Sequence, residues 1–245
     1  MVRAGGATQS YSGAALRVHR DATTLAIPGD PAYGRAMRYQ AVPLVALLSE
    51  LPPDASDTIE LRATDGYVVQ LPRALTAGRA IPWIAIEDPA HPWPNLPGRE
   101  SSAGSFYLVW QFPDQSEISP SQWPYALASL ALVASPAQRW PAIAVDESFP
   151  ARAPARRGQA VFAANCMSCH RLAGNGEGTM GPDLLTPMPA TAYLTPEGLR
   201  ALIRDPASVR SWPEQRMPAF DASVIGEDDI DAIIAYLQHL AGRQK

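Results

Sequence analysis

The clearest hydrophobic pattern in the chain lies near its carboxyl end. Apolar residues recur there every three or four positions and form one stripe: Ile230, Ile233, Ile234, Leu237 and Leu240. This spacing predicts an amphipathic helix over residues 227–241. Acidic residues in its first turn would stabilise the positive end of the helix dipole.

Two shorter helices are predicted upstream of this one. The segment 156–165 contains no helix breaker except Gly158. The segment 196–204 follows Thr195, a residue type that caps helices, and precedes an Asp-Pro pair that disfavours further helix. A loop rich in glycine and proline, residues 174–192, joins the two segments. The chain beyond residue 150 is therefore predicted to be all α.

Before residue 150 the pattern favours short strands. Strand-like apolar runs occupy residues 37–42, 58–63, 67–71, 83–87, 105–112 and 126–134. The second and third runs are joined by a Thr-Asp-Gly turn in which Gly66 tolerates positive φ, so a hairpin is predicted. Leucines at helical spacing after Pro43 predict one helix over residues 43–51. This combination indicates an α+β domain with an antiparallel or mixed sheet.

A proline-containing stretch of small residues, 148–155, separates these two patterns and is interpreted as a linker. The sequence therefore predicts two domains, residues 1–150 and residues 151–245.

Composition and charge exclude several classes of protein. The chain has 20 Lys+Arg and 24 Asp+Glu, a formal net charge of -4, and Lys245 is its only lysine. It therefore lacks the basic surface needed to bind nucleic acid. The longest apolar stretch, residues 125–135, is far shorter than the ~20 residues of a membrane-spanning helix. Residues 1–13 contain no continuous apolar run, so we expect a secretory signal to be absent from this sequence or already removed.

The two cysteines of the chain, Cys166 and Cys169, lie in one Cys-x-x-Cys-His motif that ends at His170. This motif is the attachment signature of c-type haem, in which both thiolates add to haem vinyl groups and the imidazole ligates the iron. The spacing lets both sulfurs reach neighbouring pyrrole rings from one turn of chain.

Three other interpretations of the motif compete with haem: a structural zinc site, a thioredoxin-like dithiol, and a chance arrangement or ordinary disulfide. Zinc would need further ligands, but the other histidines are scattered along the chain. A redox dithiol should lie between a strand and a helix, whereas this motif follows a predicted helix. We therefore favour haem.

A methionine thioether is the expected second axial ligand of an electron-transfer haem. Met217 is favoured because it lies on a proline-stiffened segment just before the last helix, where it could fold over the far haem face. The chain between His170 and Met188 is too short to pass around the macrocycle and bring Met188 to its other face. We expect Met167, Met180 and Met188 to fill the core instead.

Residues 155–245 resemble class I mono-haem cytochromes c. The likeness is carried by Gly158 and Phe162, the Cys166 to His170 motif, Gly181-Pro182-Asp183-Leu184, Arg216-Met217-Pro218 and Tyr236-Leu237. The resemblance implies an all-α cytochrome c fold whose first and last helices cross near Gly158, with Phe162 against Tyr236. It also implies that the Pro182 carbonyl accepts a hydrogen bond from the His170 imidazole.

Two further residues are predicted near the haem. Trp212 would either approach a haem propionate or simply pack against the protein, and Phe220 would lie at the exposed haem edge. Ligation by His170 and Met217 would leave no open position on the iron, which favours electron transfer over oxygen chemistry.

Residues 23–145 show a fold-level resemblance to the molybdopterin-binding domain of the sulfite oxidase family. It rests on Ala41-Val42-Pro43-Leu44, Asp65-Gly66-Tyr67, Ala103-Gly104-Ser105-Phe106 and Trp123-Pro124-Tyr125. In that family a cysteine thiolate binds molybdenum, but both cysteines here are assigned to haem. We therefore expect a degenerate domain without molybdenum that acts as a scaffold or docks a partner.

The sequence thus predicts a periplasmic electron-transfer protein with one covalent haem c that exchanges single electrons with redox partner proteins. The periplasm is expected because this haem is attached outside the cytoplasm. A haem enzyme subunit of the peroxidase or oxidase type, and a haem-based sensor with a displaceable Met217, are the alternatives. Enzymatic activity is left open, with an electron carrier favoured.

Overall fold

The computed structural model describes residues 1–4, 6–116, 118–213 and 215–243, so Lys245 lies outside the described residues. The chain divides into two compact units, Met1–Ser135 and Pro136–Lys245. Strands build most of the first unit and helices build the second, which confirms the predicted fold class. Among the described residues, no helix combines the length and the apolar character needed to cross a membrane.

The described part of the first unit contains β-strands, two short α-helices, and 3-10 helices at Arg73–Ala77, Pro113–Ser116 and Pro120–Gln122. The strands are Val2–Ala4 (β1), Ala7–Gln9 (β2), Thr23–Asp30 (β3), Arg35–Pro43 (β4), Thr58–Ala63 (β5), Val68–Pro72 (β6), Ile81–Ile86 (β7), Phe106–Gln111 (β8) and Leu127–Val133 (β9). The helices are Gly13–Arg17 (α1) and Leu44–Ser49 (α2).

These strands form two sheets rather than one. The first sheet has the order β2-β1-β9-β5-β6 and is mixed, because β1 and β9 run parallel while its other pairs are antiparallel. The second sheet has the order β3-β4-β7-β8 and is antiparallel. Leu61 and Leu71 of the first sheet and Tyr39 and Leu108 of the second lie in the same buried cluster. The two sheets therefore share one core.

All six predicted strands are present, and the predicted hairpin joins β5 to β6 with Gly66 at φ 90°. Strands β1, β2 and β3 were not predicted. The first two have three residues each, which is too short for a hydrophobic period to show. Strand β3 contains Pro28 and Gly29, residues that normally mark turns. Because β3 lies at the edge of its sheet, it tolerates a proline there.

A buried carboxylate braces the second sheet. Asp30, 1% exposed, accepts hydrogen bonds from the hydroxyls of Tyr39 at 2.7 Å and Tyr107 at 3.2 Å. The backbone N–H groups of Ala32 and Tyr33 also donate to it. Burial of a carboxylate destabilises the fold unless its oxygens accept hydrogen bonds, and these four donors satisfy Asp30. The cluster is therefore explained by its contribution to the fold.

The second unit is helical. Its helices are Pro136–Arg139 (α3), Pro154–Asn165 (α4), Ala190–Tyr193 (α5), Pro196–Arg204 (α6), Pro206–Val209 (α7) and Glu227–Gly242 (α8). Helices α4, α6 and α8 are the three predicted from sequence, and Thr195 caps α6 by accepting from Gly198 N at 3.1 Å. Helices α4 and α8 cross where Gly158 meets the backbone of Ala232.

The crossing has the geometry that the resemblance implies. The rings of Phe162 on α4 and Tyr236 on α8 pack with their centroids 5.8 Å apart. Buried residues of α8, among them Ile230, Ile233 and Leu237, extend this contact into the core of the unit. The predicted apolar stripe of the last helix is therefore the face that packs inward.

A segment that we call the strap, residues 140–149, packs against these two helices. Ile143 and Val145 are buried in the core of the second unit. The Tyr236 hydroxyl donates to the Ile143 carbonyl at 2.6 Å, and Val145 N donates to the side chain of Gln159 at 2.6 Å. Because the strap belongs to this core, the chain divides at Ser135 and Pro136 and not near residue 150. The sequence did not show this because Ile143 ends a 3-10 helix of three residues and Val145 follows it, and so short a segment carries no hydrophobic period.

We expect Tyr236→Phe to destabilise the second unit by about 1–2 kcal/mol. The substitution keeps the ring packed against Phe162 but leaves the buried Ile143 carbonyl without its donor. Thermal unfolding followed by circular dichroism measures the effect. Tyr193→Phe is the matched control because Tyr193 is 52% exposed, and equal midpoints for the two variants would contradict a holding role for the strap bond.

Candidate functional site

The Cys-x-x-Cys-His motif continues directly from the carboxyl end of α4. Cys166 is the residue that ends the helix, and its N–H still donates to Phe162 O at 2.8 Å. His170 N then donates to Cys166 O at 2.9 Å, so the motif forms a further helical turn. This turn holds the two thiols and the imidazole in one short stretch of chain.

The two thiols are free, and no disulfide joins them. Burial, with a smaller contribution from Cys169, raises the pKa of the Cys166 thiol to about 12. Burial also raises the pKa of Cys169. Redox-active dithiols usually lie at helix amino termini and have lowered pKa values, whereas this pair follows a helix carboxyl end. The local structure therefore does not favour a thioredoxin-like dithiol.

Two glycines let the following loop close over the motif. A Cβ at Gly178 would lie 2.6 Å from the backbone nitrogen of His170, and one at Gly181 would lie 2.6 Å from His170 Nδ1. Gly181 N also donates to Cys169 O at 2.9 Å. Since any side chain at these two positions would collide with the motif, the loop can approach this closely only with glycine.

The imidazole of His170 is oriented by a backbone carbonyl. Its Nδ1 lies 2.8 Å from Pro182 O, so the hydrogen bond implied by the resemblance is present. A carbonyl only accepts hydrogen bonds, so Nδ1 carries the proton and the lone pair of Nε2 is left for a metal. Burial lowers the pKa of His170, while Pro182 and the charge of Asp183 oppose this effect. The neutral ring is the form that ligates iron.

The loop that carries Pro182 is held by one carboxylate. Asp183 Oδ1 accepts from the N–H groups of Ala173 at 2.9 Å, Leu185 at 2.9 Å and Thr186 at 3.0 Å. Its Oδ2 accepts from Gly174 N at 2.6 Å. Burial works against the charge, but these four donors hold the pKa of Asp183 below its usual range. This role of Asp183 was not predicted, although aspartate is a residue type whose side chain accepts hydrogen bonds from backbone N–H groups in turns.

The four methionines near the site differ in exposure. Met217 is half-buried and packs against the core of the second unit, and Met167 is buried. Met180 and Met188 are 50% and 51% exposed, so the prediction that they fill the core was wrong. Both lie on irregular loop segments that present their side chains outward. Met180 directly precedes Gly181, whose backbone lies against the His170 ring.

The segment that carries Met217 is anchored just beyond it. Phe220 is buried, and its N–H donates to Ile203 O of α6 at 3.3 Å. Arg204 donates to Phe220 O and also pairs with Glu227. The segment that carries Met217 is therefore attached to α6 directly and to α8 through the pair of Arg204 and Glu227.

The two other residues predicted near the cofactor lie on this segment. Trp212 is 45% exposed, with the Arg210 guanidinium 5.4 Å from its ring centroid. Phe220 lies in the core of the unit, so its predicted place at an exposed haem edge stays a prediction.

The donor set fits haem c. Two free thiols two residues apart are followed at once by an imidazole with one committed and one available nitrogen. A structural zinc site needs four ligands, and no group of three or more His, Cys, Asp and Glu suited to a metal occurs among the described residues. The arrangement can therefore attach a porphyrin through both sulfurs and ligate its iron on one side.

Residues 155–241 match the family model described as Cytochrome c. The match covers less than half of the 245-residue chain and lies within the second unit. The match supports a c-type cytochrome segment at these residues, and proteins of this family carry covalently bound haem c, transfer electrons through it and have redox partners. Among curated proteins, none matches the sequence of this chain. The comparisons give no support to the resemblance of residues 23–145 to the sulfite oxidase family.

Proposed function

We propose that this protein carries one haem c with His170 and Met217 as axial ligands and passes single electrons between redox partner proteins in the periplasm. The observation that carries the proposal is the His170 ring, whose Nδ1 is held by Pro182 beside two free thiols. Cys166 and Cys169 would form the thioether bonds, and His170 Nε2 would ligate the iron.

The haem supplies reversible one-electron chemistry when it is bound. Side chains of this chain would hold it. Pro182 keeps the His170 imidazole in one orientation, and Met217, on a segment anchored at Phe220, would supply the thioether. A thioether ligand favours ferrous iron and raises the potential, and two protein ligands leave no position for substrate. Both effects suit an electron carrier better than an oxygen-activating enzyme.

For the first unit we propose a supporting function, as a scaffold or as the surface that docks a redox partner. Its buried carboxylate Asp30 is fully occupied by tyrosine hydroxyls and backbone donors, so this cluster serves the fold. Both cysteines of the chain lie in the other unit, so the first unit has no thiolate to offer a molybdenum centre. The periplasm is proposed because attachment of haem to the two thiols takes place outside the cytoplasm.

We expect the purified, mature protein to contain one haem per chain that acid extraction does not remove. Intact mass should exceed the polypeptide mass by one haem, and metal analysis should find about one iron and no molybdenum per chain. Replacing both Cys166 and Cys169 by alanine should make the haem extractable or abolish its retention. Met217→Ala is the control, since it leaves both thioether bonds in place.

Two results would overturn parts of this proposal. If the protein is expressed with haem-attachment machinery and its intact mass is that of the polypeptide alone, the proposed cytochrome function is wrong. Stoichiometric molybdenum would instead show that the first unit is a working metal domain.

A further inference from the structure

Asp183 is hydrogen-bonded to two parts of the loop that follows the Cys-x-x-Cys-His motif and lies against His170. Ala173 and Gly174 lie ten and nine residues before Asp183, and Leu185 and Thr186 lie two and three residues after it. All four N–H groups point at one carboxylate, an arrangement that forms strong, charge-assisted hydrogen bonds. The carboxylate therefore closes the loop across about ten positions of chain.

The hydrogen bond to His170 comes from the peptide group next to this carboxylate. Pro182 O, the acceptor at 2.8 Å from His170 Nδ1, belongs to the peptide bond that joins Pro182 to Asp183. The proline ring restricts the backbone on one side of this peptide, and the anchored Asp183 side chain fixes it on the other. The direction of the carbonyl is thus set largely by Asp183.

We propose that Asp183 is a positioning residue that tunes the haem potential through the Pro182 carbonyl. A firmly held acceptor on Nδ1 makes the imidazole a better electron donor to the iron, and a better donor stabilises the ferric state. Asp183 thereby lowers the midpoint potential below the value that a loosely held loop would give. This inference rests on the proposed haem ligation by His170.

An asparagine at position 183 separates this effect from simple loss of the loop. Its carbonyl oxygen can keep the three bonds that Oδ1 accepts, but its amide group would face the Gly174 N–H, and two donors repel. The variant therefore keeps the size of the side chain while it loses the charge and one anchor.

The test compares Asp183→Asn with the wild type as haem-loaded full chains. We expect a positive shift of the midpoint potential in a redox titration at pH 7. In addition, the Gly174 amide should exchange with deuterium about tenfold faster, because its acceptor is lost. Asp146→Asn is the matched control, since Asp146 is an exposed carboxylate of the same unit that accepts from Ser148 N.

The possible outcomes are distinct. A potential equal to that of the wild type, with faster amide exchange, would show that Asp183 only stabilises the loop and would overturn the inference. An equal shift in Asp146→Asn would assign the effect to overall charge and would also overturn it. Failure of the proposed function is recognised separately, because a chain without covalent haem gives no potential to measure.

Discussion

Gly158→Ala is expected to destabilise the second unit severely. A Cβ at this position would overlap the Ala232 carbonyl and lie 2.9 Å from Ile233 N, because α4 and α8 touch here backbone to backbone. Overpacking in a core typically costs ~1–3 kcal/mol, and backbone atoms cannot rotate away as a side chain can. We therefore expect a loss of about 3 kcal/mol or more, which corresponds to a midpoint lower by about 12 °C or more.

The measurement is thermal unfolding followed by helical circular dichroism, and Gly198→Ala is the control. Gly198 is also a helical glycine, but a Cβ there would meet Thr195 Oγ1 at an ordinary 3.5 Å. Alanine at this position should be neutral or stabilising by up to about 1 kcal/mol, because it reduces the freedom of the unfolded chain. A Gly158→Ala variant as stable as the control would contradict the close crossing of α4 and α8.

Local sequence signals were sufficient to predict the principal helices of the second unit. Helix α6 begins at its capping residue Thr195 and ends before Pro206, since both boundaries depend on neighbouring residues. The stripe on α8 is equally local, because one face of a helix repeats at 3.6 residues. Such features are encoded in short windows of sequence and do not require knowledge of the partner elements.

The features that were missed depend on tertiary contacts. Strand β3 carries Pro28 and Gly29 and is a strand because β4 pairs with it. The strap joins the second unit through Tyr236, which is far away in sequence. The boundary near residue 150 was predicted from a change of composition. The structure instead divides the chain between Ser135 and Pro136, because the strap belongs to the core of the second unit.

In the candidate site, too, the local features were predicted and the features that depend on tertiary contacts were not. The motif follows from residue types at fixed spacing, whereas the hydrogen bond between His170 and Pro182 was predicted only from the family resemblance. The role of Asp183 and the exposure of Met180 and Met188 could not be predicted, because both depend on how a loop without regular structure folds.

Met217→Ala should leave the haem attached but change the midpoint potential and the spin state of its iron. Removing the thioether takes away the ligand that favours ferrous iron, so we expect the midpoint potential to fall. A decrease on the order of 0.1 V or more is reasonable, since axial ligands set haem potentials over about 0.8 V. The ferric spectrum should also lose the weak far-red band of sulfur ligation and become high-spin, because alanine provides no ligand. Redox titration and absorption spectroscopy measure both changes.

Met188→Ala is the control for this experiment, because Met188 is 51% exposed while Met217 packs against the core. The anchor of Phe220 on α6 should keep the surrounding segment in place in the Met217 variant. If Met188→Ala removes the far-red band and Met217→Ala keeps it, the assignment of the axial ligand is wrong. If the wild-type ferric protein is already high-spin, the iron has an open position, and a haem enzyme of the peroxidase or oxidase type replaces the electron carrier as the better description. A wild-type protein that is low-spin and loses the band only in Met217→Ala has the closed iron that electron transfer requires.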